Sequence, residues 1–248
     1  MDERHVPPVG LRYWLLFLIT SVFGSHMGDA VRSLVSSGLL CQILVLAGFL
    51  SLVFVIERRD RRASDIHYWS AVIIVQMMAV RLADFSVIQL HINRIELVIG
   101  LMVLLAATLV MSRSDETRIF SRLQLERPAA DARPMADFPH WMGLLIASVA
   151  GSVAADLFAI TFHLGAAGSA LAISVVAIVL VYLQWPTRRG RLHAFWITTT
   201  LVRADGIAIA DVLVKKSYLH LGLALGTVLS GLVVIGLLLS WRPPKSLI

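Results

Sequence analysis

Apolar residues do not alternate with polar ones along this chain. They run on, in eight stretches at roughly 12–31, 39–56, 68–89, 93–111, 141–162, 167–185, 194–214 and 219–240. A run of about 20 such residues is the length of a helix that crosses the hydrocarbon of a bilayer. Continuous apolar sequence argues against a transmembrane barrel, whose strands alternate between lipid and lumen. The pattern therefore predicts an all-α integral membrane protein with eight transmembrane helices, since backbone groups in lipid must be satisfied within the segment. The first stretch follows a polar lead and has no small-residue cleavage motif, so it is expected to be retained as a span. The only long polar connection, 112–139, contains Pro128, Pro134 and Pro139. It predicts a first half at 1–111, a cytoplasmic linker at 112–139 and a second half at 140–248, with four helices in each half. A short amphipathic helix near 119–125 is expected to lie at the membrane surface.

The apolar pattern also repeats. Trp14 precedes Asp29 by fifteen residues, as Trp69 precedes Asp84, Trp141 precedes Asp156 and Trp196 precedes Asp211. The aspartates are 55, 72 and 55 residues apart, so the second half reproduces the first at an offset of 127. The segment LITSVFGS at 18–25 matches LIASVAGS at 145–152 in six of eight positions. Such periodicity predicts four helical hairpins. Two spans per hairpin is an even number, so all four enter the membrane in the same direction as parallel repeats, arranged as two pseudo-symmetric halves.

On a helical wheel with Asp at 0°, the positions 1, 4, 5, 8 and 15 before it fall between about −40° and −140°. Position −1 is Gly28, Ala83, Ala155 and Ala210, and position −5 is Gly24, Ala79, Gly151 and Gly206. Apolar side chains gain little by leaving lipid for protein, so membrane helices associate where small residues let backbones approach. The four Asp-bearing helices are thus expected to pack on one another, with the plainer second helices outside. Each Trp lies on the same stripe, about 22 Å of helix rise from its Asp, and is expected to be buried within the bundle.

Composition sharpens this. Hydrophobic residues make up 58% of the 248 and charged residues 15%, with a mean hydropathy of +0.80, where a soluble domain carries about a quarter charged residues. The net charge of +6 is unevenly placed. The termini and the connections 57–67, 112–140 and 186–193 hold 16 of the 22 Lys and Arg, which by the positive-inside bias puts both termini in the cytoplasm. Topology accounts for these arginines without nucleic-acid binding. The single Cys41 excludes an intrachain disulfide.

Four aspartates repeated in apolar sequence are the candidate chemistry, because an ionisable group in a membrane is expensive to keep. In a structural reading, each carboxylate caps the turn of its own hairpin. In a functional reading, Asp29, Asp84, Asp156 and Asp211 converge near the outer end of four neighbouring helices and bind a cation or carry protons. Departures from the repeat mark where function is sought. Position −3 is His26 and Arg81 in the first two repeats but Val153 and Ala208 in the others, and Arg203 and Asp205 lie well inside the last Asp helix. Residues two apart face different ways, so Arg203 and Asp205 are expected to find partners on other helices, with Gln76 a neighbour of Arg203. A buried ion pair bridging helices is the structural alternative. His26, His91, His163 and His220 gather towards the outer side and, with the aspartates, form a mixed N/O set suited to Zn, Mn, Fe or Ni. No nucleophile elbow, Walker loop, dinucleotide fingerprint or zinc-protease helix is present, and no enzyme is expected.

The unit of two transmembrane helices with one Trp and a small–Asp pair resembles an uncharacterised family of bacterial inner-membrane proteins built from four tandem copies of it. The resemblance covers 11–241 and is carried by Trp14, Trp69, Trp141 and Trp196 with Gly28–Asp29, Ala83–Asp84, Ala155–Asp156 and Ala210–Asp211. It implies the fold and a bacterial inner-membrane location, and it implies no activity. From the residues themselves, the leading expectation is a small transport or permeation protein for a cation, either a proton or a divalent metal. Asp29, Asp84, Asp156, Asp211 and Asp205 would bind it, with His26 and Arg203 tuning their ionisation. The lipid bilayer is the one partner implied. The alternative is a non-transporting membrane scaffold or a haem-binding redox subunit.

Overall fold

The computed structural model describes residues 6–7, 9–35, 38–59, 65–122, 138–184, 191–215 and 218–240. All regular structure among them is helical: α1 (Leu11–Leu34), α2 (Leu39–Arg59), α3 (Asp65–Asp84), α4 (Arg94–Arg122), α5 (Phe138–Asp156), α6 (Gly165–Gln184), α7 (Arg191–Val214) and α8 (Gly222–Ser240). Seven of the eight are long and apolar enough to cross a membrane. The remaining helix, α7, carries Arg203, Asp205 and Asp211 together with Thr198, Thr199 and Thr200, which lower its hydropathy. The helix predicted near 119–125 begins as a continuation of α4, which runs on to Arg122; the rest of the linker, 123–137, lies outside the described residues.

Helices α1, α3, α5 and α7 pack in a closed ring, α1 on α3, α3 on α5, α5 on α7 and α7 back on α1. Outside it, α2 packs on α3, α4 on α5, α6 on α7 and α8 on α1, so each outer helix leans on the inner helix of the next hairpin. Few of the described residues of α2, α4, α6 and α8 are buried, as expected for the lipid side.

Small residues set the ring's closeness. A Cβ at Gly151 on α5 would stand 2.6 Å from the Thr200 carbonyl oxygen and 2.8 Å from Arg203 Cγ on α7. One at Gly24 on α1 would stand 2.9 Å from Gln76 Cβ on α3, and one at Gly28 would stand 3.3 Å from Val80 Cβ. At Gly206 on α7 it would fall on Ser21 Cβ of α1. Across the α3–α5 contact, Ala79 and Ala83 pack with Val149 and Val153. Side chains at these positions would force the backbones apart, which is the physical content of the small-residue stripe.

The Asp-bearing ends of α3 and α5 are built alike. Each α-helix runs through its Asp into a π-helical turn, Phe85–Gln89 or Leu157–Thr161. The chain then reverses at a left-handed histidine, His91 (φ 53°) or His163 (φ 56°). Main-chain bonds from Ile92 N to Ser86 O (3.1 Å) and from Leu164 N to Phe158 O (3.3 Å) close the two turns. His220 (φ 56°) is also left-handed, a conformation in which His is enriched over most side chains. These three histidines therefore have a backbone role.

Candidate functional site

The ring brings polar side chains into three layers. In the first layer, Asp29, Asp84, Asp156 and Asp211 sit on four neighbouring helices, half-buried and within electrostatic range of one another. Arg81, on α3 and almost fully buried, bridges two of them: its Nη2 donates to Asp29 Oδ1 at 3.0 Å and to Asp84 Oδ2 at 2.6 Å. Arg32 stands 3.7 Å from Asp84, and Lys215 pairs with Asp211 one turn back on its own helix. Asp156 makes no ion pair with a described residue. Asp84 and Asp156 have helical φ of −58° and −64° and make no capping bond, because the helix continues through them into the π turn. The capping reading therefore fails for these two.

His26 lies one turn below Asp29 and is fully buried. Its Nδ1 is 3.2 Å from Ser230 Oγ on α8 and its Nε2 is 3.3 Å from the Ala210 carbonyl on α7. A Cβ at Gly226 would come within 3.1 Å of its Cε1, so α8 can approach only because residue 226 is glycine. His26 ties three helices together. No group of three His, Cys, Asp or Glu with metal-binding geometry occurs among the described residues.

The middle layer is eight residues below the aspartates: Ser21, Gln76, Ser148 and Arg203, none of them exposed. Arg203 Nη1 donates to the Ser21 carbonyl on α1 and Nη2 to the Gln76 carbonyl on α3, both at 2.9 Å. Gln76 Nε2 donates to Ser21 Oγ at 3.0 Å. The predicted neighbour of Arg203 is thus correct, but the contact runs through the main chain of Gln76. Arg203 Nε, Gln76 Oε1 and Ser148 Oγ have no hydrogen-bond partner among the described residues. Both residues find partners on other helices as expected, but the alternative of an interhelical ion pair is absent among the described residues, because Arg203 meets carbonyls, whereas Asp205 accepts a 2.7 Å bond from Ser174 Oγ on α6. At 100° per residue the two side chains leave α7 about 200° apart, Arg203 towards the ring and Asp205 away from it.

The third layer, sixteen residues below the aspartates, is aromatic. Tyr13, Tyr68, His140 and Phe195 form a closed cycle with centroid separations of 6.4, 6.1, 6.3 and 6.0 Å. Tyr13 Oη and Tyr68 Oη are 2.9 Å apart, and Tyr68 Oη is 3.4 Å from His140 Nε2. Each tryptophan packs on the cycle member of the preceding hairpin: Trp14 on Phe195 (5.6 Å), Trp69 on Tyr13 (5.2 Å), Trp141 on Tyr68 (5.5 Å) and Trp196 on His140 (5.5 Å). Trp14, Trp69 and Trp196 are buried and Trp141 is partly so. Between the second and third layers, the fully buried Phe17, Val72, Leu144 and Thr199 fill the ring.

Sequence reasoning missed this cycle, although its signal was present: every repeat Trp is preceded by Tyr, Tyr, His or Phe. It also missed Ser174, which no local pattern marks. Compared with known proteins, the chain matches no family model, no curated protein and no solved structure.

Proposed function

We propose that the protein is an eight-span transport protein of the bacterial inner membrane, with both termini cytoplasmic, four parallel hairpin repeats in two halves, and a proton as its cation. It belongs by this reading with the four-repeat family it resembles. One observation carries the reading. Helix α7 touches α1, α5, α6 and α8 and holds a buried guanidinium and a buried carboxylate two residues apart, neither neutralised by the other. Charges in a membrane interior are costly and are retained at ion pathways and relays. A scaffold could fill these positions with apolar residues, since replacing buried charged groups together with well-packed hydrophobic residues of similar volume is often neutral or stabilising. A proton suits the site better than a divalent metal, because metal ions need several oxygen or nitrogen ligands together.

The α7 span is included because its charges face protein: Arg203 is fully buried in the ring and Asp205 faces α6. The outer carboxylates supply the entry. Asp156, without an ion pair among the described residues, is the one best placed to exchange with solvent.

Proteoliposomes loaded with a pH-sensitive dye and driven by a potassium diffusion potential test the proposal, with Asp205→Asn as control and a divalent-metal panel in parallel. Proton entry that the substitution removes is expected. Equal dye responses in protein-containing and protein-free vesicles would refute proton transport. The non-transporting scaffold is favoured by a different observation, that Asp29, Asp84 and Asp211 are already held in ion pairs. For a haem-binding subunit, a Soret band in the purified protein is the direct check.

A further inference from the structure

We infer that Asp205 and Ser174 form a membrane-embedded proton-binding site at the α6–α7 interface, off the axis of the helix ring. The inference deepens the proton reading above and rests on it for its role in transport. Asp205 lies nine residues from the end of α7, and Ser174 nine residues from the start of α6. At 1.5 Å per residue, both are about 14 Å from the outer helix ends, near the middle of a bilayer core about 30 Å thick. Ser174 Oγ donates to Asp205 Oδ1 at 2.7 Å, which leaves Oδ2 for a proton. A serine in a helix usually bonds back to its own main chain. Ser169 does so, donating to the Ala166 carbonyl, whereas Ser174 turns to the carboxylate.

The surroundings select a proton. Ala155, Ile173, Ala204 and Ile207 form an apolar cluster beside the pair, and Asp205 has no ion pair with a described residue. Arg203 leaves the opposite side of α7 and is engaged by the Ser21 and Gln76 carbonyls. One carboxylate and one hydroxyl are too few for Ca²⁺, which takes about six to eight oxygens, or for octahedral Mg²⁺. A proton needs one oxygen. The ring itself offers a poorer route, closed by Arg203 in its middle layer and by Phe17, Val72 and Leu144 below. Beyond α6, the exposed Val175, Ile178 and Val179 face the lipid side, so a lipid-soluble reagent approaches the pair through one helix.

Dicyclohexylcarbodiimide tests the site directly. It reacts with a protonated carboxyl: the proton goes to a carbodiimide nitrogen and the carboxylate oxygen bonds to the central carbon. The adduct rearranges to a stable N-acylurea with no atom lost. Full-length protein in native membranes is treated and the adduct located by peptide mass spectrometry. Labelling at Asp205 is expected, with none from a water-soluble carbodiimide and none in Asp205→Asn. An Asp205 peptide that stays unlabelled in the folded protein, yet is labelled after unfolding in acidified detergent, overturns the inference. So does labelling by the water-soluble reagent alone. The same preparation separates the two claims. Labelling without any proton flux leaves the site standing and removes the transport reading, whereas flux that survives Asp205→Asn removes the site's role in transport.

Discussion

Adding one methyl group at Gly151 tests the packing that everything else depends on. The new Cβ would stand 2.6 Å from the Thr200 carbonyl oxygen and 2.8 and 2.9 Å from Arg203 Cγ and Cβ. The first neighbour is backbone and cannot swing aside, so α5 and α7 must separate by several tenths of an ångström. That shift also draws Arg203 from the Ser21 and Gln76 carbonyls, each now accepting at 2.9 Å. Overpacking a tight core costs about 1–3 kcal/mol. At about 2–4 °C per kcal/mol for a chain of this size, Gly151→Ala should lower the midpoint of thermal unfolding by roughly 2–12 °C. Gly151→Leu should do worse. The control is Ala106→Leu, a larger enlargement on α4 at a residue exposed on the lipid side. Unfolding in detergent, followed by tryptophan fluorescence, reads both. Equal midpoints for Gly151→Ala and Ala106→Leu would refute the close α5–α7 contact.

Replacing Arg203 with Met should leave the unfolding midpoint unchanged or raised, because desolvation of the guanidinium disappears together with its two carbonyl bonds. A fall of more than a few degrees would show that those bonds outweigh the desolvation. Arg81→Gln removes the bridge between Asp29 and Asp84 and leaves two carboxylates facing each other, so it should destabilise by about 1–3 kcal/mol. Lys215→Gln breaks an exposed pair within one helix and should cost about 0.3–0.5 kcal/mol; equal thermal shifts would contradict the bridging role of Arg81. Among the outer carboxylates, Asp84→Asn should lose most stability and Asp156→Asn least, following their ion pairs. Four equal losses would remove that ranking. A reporter fused at the C-terminus should read cytoplasmic, and a periplasmic signal would overturn the assigned orientation.

Helix positions, the small-residue stripe and the common end of the four aspartates were legible in the sequence, because each depends on spacing within one helix. The wheel that puts Gly24, Gly151 and Gly206 on one face needs only the helical period. It says nothing of which helix occupies that face. Only tertiary packing decided that Gly24 meets α3, Gly151 meets α7 and Gly206 meets α1, closing the ring. The inner and outer helices were also legible, since α2, α4, α6 and α8 have hydropathy of 2.2–2.8 against 1.3–1.9 for α1, α3 and α5, which carry the polar residues of the ring. Polar partners were the hardest to foresee. Arg203 satisfies itself on main-chain carbonyls, which every sequence has at every position, and Asp205 on a hydroxyl of α6 thirty-one residues earlier. The aspartates looked like caps because they stand where the hairpins turn. The π-helical turns beyond Asp84 and Asp156 carry the helix past that point, so Asp84 is placed beside Arg81, and Asp156 within electrostatic range of Asp84 and Asp211. A repeat in sequence thus specifies where a charge recurs, whereas its partner is specified by the helix that the fold sets against it.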